Sequence, residues 1–135
     1  RILTGDLRDR SLFPANAFDL VISNPPWFPT GAGRSGGPAR SEEGCTLPEL
    51  CAAAGYLTHP GGRFALVHRP ERLPDLFAAL RASGLEPKRM ALVQHSLTAA
   101  PSSVLVEAVR QGRPGLEVLP TLLQKLPQPG PGAQP

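Results

Sequence analysis

No stretch of the 135 residues approaches the ~20 consecutive apolar side chains of a membrane-spanning helix, and the first residues carry no basic-then-apolar signal pattern. A soluble, intracellular chain is expected. Cysteine is nearly missing as well. Cys45 and Cys51 lie six positions apart, with no second pair and no histidine beside them, which suits neither a disulfide framework nor a zinc site. Both are read as reduced thiols in a reducing compartment. His59, His68 and His95 are scattered, without metal-ligand spacing or a carboxylate neighbour in sequence, so no metal and no catalytic histidine is expected. There is no internal repeat. No methionine opens the chain, and residues 2 to 4 already have strand character, as expected of the C-terminal part of something longer.

What is present suits one core: 41% of the residues are apolar, ordinary for a single domain of this length. The net charge is +3, with an isoelectric point near 9.4 and arginine as the main cation, which is compatible with a polyanionic partner. Residues 2–4 followed by Gly5-Asp6 read as a strand and turn, and "FDLVIS" at 18–23 as a buried strand, because its apolar residues run almost unbroken. Residues 29–44 hold five glycines and two prolines without apolar periodicity, the composition of a surface loop that moves on binding. Thr46-Leu47-Pro48-Glu49 has capping-box spacing and predicts a helix over 47–58, ended by Pro60-Gly61-Gly62. A strand at 63–69, a helix at 74–83 stopped by Gly84, and strands at 88–95 and 102–110 follow. Helices between strands require parallel pairing, and the short connection between the last two strands suits an antiparallel edge pair. The class is α/β. From Pro114 the chain turns Pro-rich, which predicts a domain over 1–122 and a disordered tail over 123–135.

The chemistry is concentrated in "VISNPPW" at 21–27. Proline cannot donate to a sheet ladder and pushes the preceding residue towards extended geometry, so the strand ends at Asn24. In open parallel sheets, ligands bind beyond such carboxyl ends. The Asn24 side-chain oxygen and the Pro25 carbonyl can accept from the two N–H bonds of a planar amine, a grip that favours the tetrahedral nitrogen formed on attack. Trp27 offers a stacking face for the ring that carries the amine. Together Asn24, Pro25, Pro26 and Trp27 suit an aromatic amine substrate.

This run resembles the Asn/Asp-Pro-Pro-aromatic signature of S-adenosylmethionine-dependent methyltransferases acting on exocyclic or amide nitrogens. "PARSEEGCTLPEL", "GGRFALVHRPERLPDL", "LEPKRMALVQH" and "SSVLVEAVRQGRPGLEVLP" are similar to successive blocks of the bacterial tRNA (adenine-N6)-methyltransferases, which modify an adenine beside the anticodon of a valine tRNA. The resemblance covers roughly residues 1 to 122 and implies the C-terminal portion of a Rossmann-like class I methyltransferase sheet, with an antiparallel final strand pair. It implies S-adenosylmethionine as cofactor, tRNA as partner and a cytoplasmic location. It also implies that Asn24 and Pro25 orient the N6 amine, that Asn24 lies against the cofactor, and that Trp27 stacks on the flipped adenine. Asp6 falls on the acidic residue that contacts the cofactor adenine. Phe28, Arg40, Arg69 and Arg72 fall on the RNA side, and Arg34, Lys88 and Arg89 could extend a phosphate-binding surface. Ser41 stands where the family usually has a histidine.

The family holds the rest of its cofactor on a Gly-rich turn and an acidic residue that would precede Arg1. Gly31, Gly33, Gly36 and Gly37 follow the catalytic strand and cannot take that place. Weak or absent cofactor binding by this chain alone is therefore expected. Two other readings stay open: a glutamine-amide methyltransferase of the release-factor type, which uses a similar turn, and an inactive RNA-binding fragment. Trp27-Phe28, the Arg/Gly loop and "VHRPERL" favour the nucleic acid.

Overall fold

Thr46 opens the first helix with a reciprocal capping box. Its backbone N–H donates to Glu49 Oε1 at 3.0 Å, and the Glu49 N–H donates to Thr46 Oγ1 at 3.2 Å. The computed structural model describes residues 13–24 and 46–124; the expectations for residues 2–6, the 29–44 loop and Cys45 lie outside them. In chain order the elements are β1 (Phe18–Ser23), α1 (Leu47–Leu57), β2 (Thr58–His68), a 3₁₀ turn (Pro70–Arg72), α2 (Leu73–Ala82), β3 (Leu85–Gln94), β4 (Pro101–Arg110), β5 (Glu117–Val118) and β6 (Leu122–Leu123).

Helix α1 stops at Leu57, one residue short of expectation. Thr58 is already extended, and its hydroxyl donates back to the Ala54 carbonyl at 2.7 Å. Strand β2 accordingly starts well before residue 63. Thr58 pairs with Phe18, residues 59–62 bulge outward, and pairing resumes at Leu20 with Arg63. The bulge follows from its residues. Pro60 has no N–H to give, Gly61 takes φ +84°, and a Cβ on Gly62 would lie 2.9 Å from the Asp19 carbonyl. Gly84, at φ +76°, releases the chain from α2 into β3. Strand β3 runs from Leu85 instead of Lys88 because Pro87 is tolerated at a register shift opposite Ala108.

The sheet order is β1-β2-β4-β3-β5, with β6 also on β3. Strands β1 and β2 are parallel, β4 runs antiparallel to both β2 and β3, and β5 and β6 run parallel to β3. The α/β class and a mostly parallel sheet are therefore observed. The antiparallel pair lies towards one end of the sheet, but β4 is interior, inserted between β2 and β3. The expected boundary at residue 122 is crossed by β6, which Gln124 extends by donating its N–H to the Gln94 carbonyl at 2.6 Å; residues 125–135 lie outside the described part.

One face of the sheet carries the core. Phe64 and Leu66 of β2, Val104, Val106 and Ala108 of β4 and Met90 of β3 pack against Leu47, Leu50, Cys51 and Ala54 of α1 and Leu76, Ala79 and Leu80 of α2. Alternate residues of the same strands point the other way. There the expected burial of "FDLVIS" fails: Leu20 is 50% and Ile22 69% exposed. Both helices lie on the opposite face, and β1 has one neighbour among the described strands.

Candidate active site

Asn24 follows β1 directly and is exposed. Ser23 lies opposite Leu66 in the parallel register, and β2 runs two residues further to His68. The carboxyl ends of β1, β2 and β3 thus share one rim with the start of β4. Asn24 stands there at the mouth of a groove of about 640 Å³ that runs over the helix-free face, floored by Ile22, Ala65, Val67, Leu105 and Leu122. Strand alternation puts Asn24 on the same side as Leu20 and Ile22.

At the same rim His68 is buried, and its Nδ1 accepts from the Arg69 backbone N–H at 2.9 Å. Arg69 pairs with Glu71 at 3.5 Å, and Arg72 Nε donates to Asp75 at 3.0 Å. The two arginines assigned to RNA therefore each face a carboxylate. Arg72 lines a different groove, between α1 and α2, with Leu47, Pro48, Asp75 and Ala79. So the structure places Asn24 at the rim, Arg69 just past the end of β2 and Arg72 on the helical side. Asp6, Pro25, Pro26, Trp27, Phe28 and Arg40 lie outside the described residues.

The groove itself has little to offer a polar ligand. Its charged lining residues, Arg89 and Glu107, face each other at 3.7 Å, and Glu107 also reaches Arg63 at 3.9 Å. Among the described residues, no group of three or more His, Cys, Asp or Glu side chains is placed to hold a metal ion.

Sequence reading misses two further clusters. His59, placed without a partner by sequence, has both ring nitrogens engaged: Nδ1 faces the Pro60 carbonyl at 2.7 Å, and Nε2 contacts the Asp19 carboxylate. The Pro60 carbonyl and then the Asp19 side chain raise its pKa above the usual histidine value. Arg110 Nη1 donates to Asn16 Oδ1 at 2.8 Å, to the Gly55 carbonyl at 2.7 Å and to the Thr58 carbonyl at 2.5 Å. This guanidinium ties the approach to β1 to the C-terminus of α1. The signal available was the positive φ expected of an Asn in a turn, here Asn16 at +57°.

No protein-family model matches the chain. It is similar to the tRNA1(Val) (adenine(37)-N6)-methyltransferases of two strains of Porphyromonas gingivalis, 40% identical over 81 residues, a match of 56% of this chain and 32% of each relative. The structure superposes on a protein from Agrobacterium tumefaciens described as an O-methyltransferase by inference, with a TM-score of 0.65 and 21% identity over 90% of this chain and 50% of that one. The fold is that of a methyltransferase. A second protein with this methyltransferase fold, classed by inference as a DNA modification methylase of Thermus thermophilus and solved with S-adenosyl-L-methionine, gives a TM-score of 0.57 at 18% identity, covering 81% of this chain and 54% of that one. The chain spans about a third of the length of the Porphyromonas relatives and about half of the methyltransferase structures. Among the described residues, no helix is long and apolar enough to cross a membrane.

Proposed function

We propose that the chain belongs to an S-adenosylmethionine-dependent methyltransferase that methylates the N6 amine of an adenine in tRNA, in the cytoplasm. The observation that carries the reading is the position of Asn24: the Asn-Pro-Pro-Trp run starts where β1 leaves the sheet, on the shared rim of strand carboxyl ends. The similarity to the Porphyromonas tRNA methyltransferases supports the substrate class. Asn24 Oδ1 and the Pro25 carbonyl accept from the two amine N–H bonds and aim the nitrogen lone pair out of the ring plane, away from the carbonyls. Pro26 fixes the backbone that presents these acceptors, and Trp27 stacks on the extruded adenine. Phe28, Arg40, Arg69 and Arg72 border the RNA, and Asp6 with Asn24 borders the cofactor.

Trp27 is the single tryptophan of the chain, so its fluorescence reports directly on the site. Titration with an anticodon stem-loop that has an unpaired adenine should quench it. The same RNA with that adenine replaced by uracil should leave it unchanged. With the whole protein to which the chain belongs, incorporation of a labelled methyl group, followed by nucleoside analysis, should give N6-methyladenine in tRNA. Asn24→Ala should lower the transfer rate by about a hundredfold or more while RNA affinity changes little, because the lost interaction is strongest in the transition state. Label in a release-factor glutamine instead of tRNA would overturn the substrate assignment.

A further inference from the structure

Strands β3 and β4 do not stop at the rim where Asn24 stands. Ser23 lies opposite Leu66, so Asn24, one residue on, comes level with Val67, Leu105 and Ala91. Strand β2 ends one residue above that level, at His68, whereas β3 and β4 stay paired up to Gln94 and Pro101, three and four residues above it. At about 3.3 Å per residue the hairpin overhangs the rim by roughly 10 Å before its tip, residues 95–100, begins. We propose that this tip is a further substrate-binding element, and that Leu97 packs against a base flanking the extruded adenine.

The tip is braced from within and from outside. Gln94 Nε2 donates to the Ala99 carbonyl at 2.5 Å, the Ala99 N–H donates to the Ser96 carbonyl at 3.2 Å, and Ser102 Oγ donates to the Val93 carbonyl at 3.3 Å. The Gln124 N–H holds the outer side through the Gln94 carbonyl. Such bracing reduces the entropy lost when a loop meets a ligand. Composition points the same way. Residues 95–100 read His-Ser-Leu-Thr-Ala-Ala, without the glycine, proline, asparagine or aspartate that tight turns favour and without a carboxylate to repel phosphates. Singly exposed apolar side chains are ordinary on a protein surface. Leu97, however, is at 77% the most exposed large apolar residue among those described, and it is held out at the end of a braced arm. In the order β1-β2-β4-β3 that arm is rooted on the second and third neighbours of β1, about 10 and 14 Å across the sheet from Asn24. Extruding an adenine unstacks the bases beside it and bares their faces, and an apolar side chain at that range offers them a replacement surface. The inference rests on the adenine reading above.

The test uses the whole protein to which the chain belongs, with an anticodon stem-loop carrying an unpaired adenine as the probe. Leu97→Ser should raise KM for the stem-loop about tenfold, as expected for losing the burial of one leucine on binding, with kcat and melting temperature close to the parent's. Leu97→Met should stay near the parent in all three. Making the nucleotides that flank the adenine abasic should raise the parent's KM by a similar factor and add little more in Leu97→Ser. Leu116→Ser, at an exposed apolar residue beside β5, should behave as the parent, and amide exchange across 95–100 should slow when the stem-loop binds. A parent-like KM in Leu97→Ser, while the parent methylates the stem-loop, would overturn this proposal and leave the adenine reading standing. So would a raised KM that flanking abasic sites raise again in full, or exchange at 95–100 that the stem-loop does not change. A parent protein that transfers no methyl group to the adenine would overturn that reading, and this inference with it.

Discussion

Arg110 and His59 show how single side chains hold β1 where Asn24 needs it. No basic residue of α1 itself lies in its last turn, so the carbonyls there, partial negative charge at a helix end, are met by Arg110 from β4. Arg110→Ala would leave the Gly55 and Thr58 carbonyls without this donor and free Asn16. A loss of about 2–3 kcal/mol is expected for a charge-assisted cluster, measured by urea unfolding, and Arg110→Lys should recover part of it. His59 gives a pH dependence with a definite sign. Its pKa is raised in the folded state by the Pro60 carbonyl and the Asp19 side chain, so the folded protein binds the proton more tightly than the unfolded chain. The extra stability is fully present below about 6.5, the unfolded value, and is lost as pH rises through the higher folded value. A melting temperature that falls across that window in the parent protein should be flat at this step in His59→Gln.

Among the elements, α1 is the one whose sequence and packing disagree in an informative way. Cys51-Ala52-Ala53-Ala54-Gly55 is a run of small residues, and propensity alone would favour alanine at 55. A Cβ at that position would lie 2.6 Å from the Ser83 carbonyl at the end of α2. Gly55→Ala should therefore destabilise by about 1–3 kcal/mol through overpacking, against the gain expected for an isolated helix, and thermal unfolding of the two proteins decides the sign. The contact matters for the site because α1 leads straight into β2 and, through the bulge at 59–62, sets the register of β1.

At the scale of the whole molecule, stability is graded across the sheet. Strand β4 is bonded on both sides, with Val104, Val106 and Ala108 buried behind it. Strand β1 has one described partner and two exposed apolar side chains. Hydrogen exchange should be slower in β4 than in β1; equal protection of 18–23 and 103–108 would contradict this grading.

The sequence by itself determined what is decided within a few residues. The capping box at Thr46 and Glu49, the end of β1 before two prolines, the glycine that releases α2 and the α/β alternation are all local chemistry, and they appear where expected. Asn24 at the end of a strand was legible for the same reason. Tertiary structure alone decided the rest. Arg110 meets Asn16 across 94 positions and His59 meets Asp19 across 40, distances over which no spacing rule operates. The insertion of β4 between β2 and β3, and the face of β1 left uncovered, depend on which strands find partners. An unbroken apolar run such as "FDLVIS" states that both its sides can be buried; only the packed sheet shows that α1 and α2 bury one.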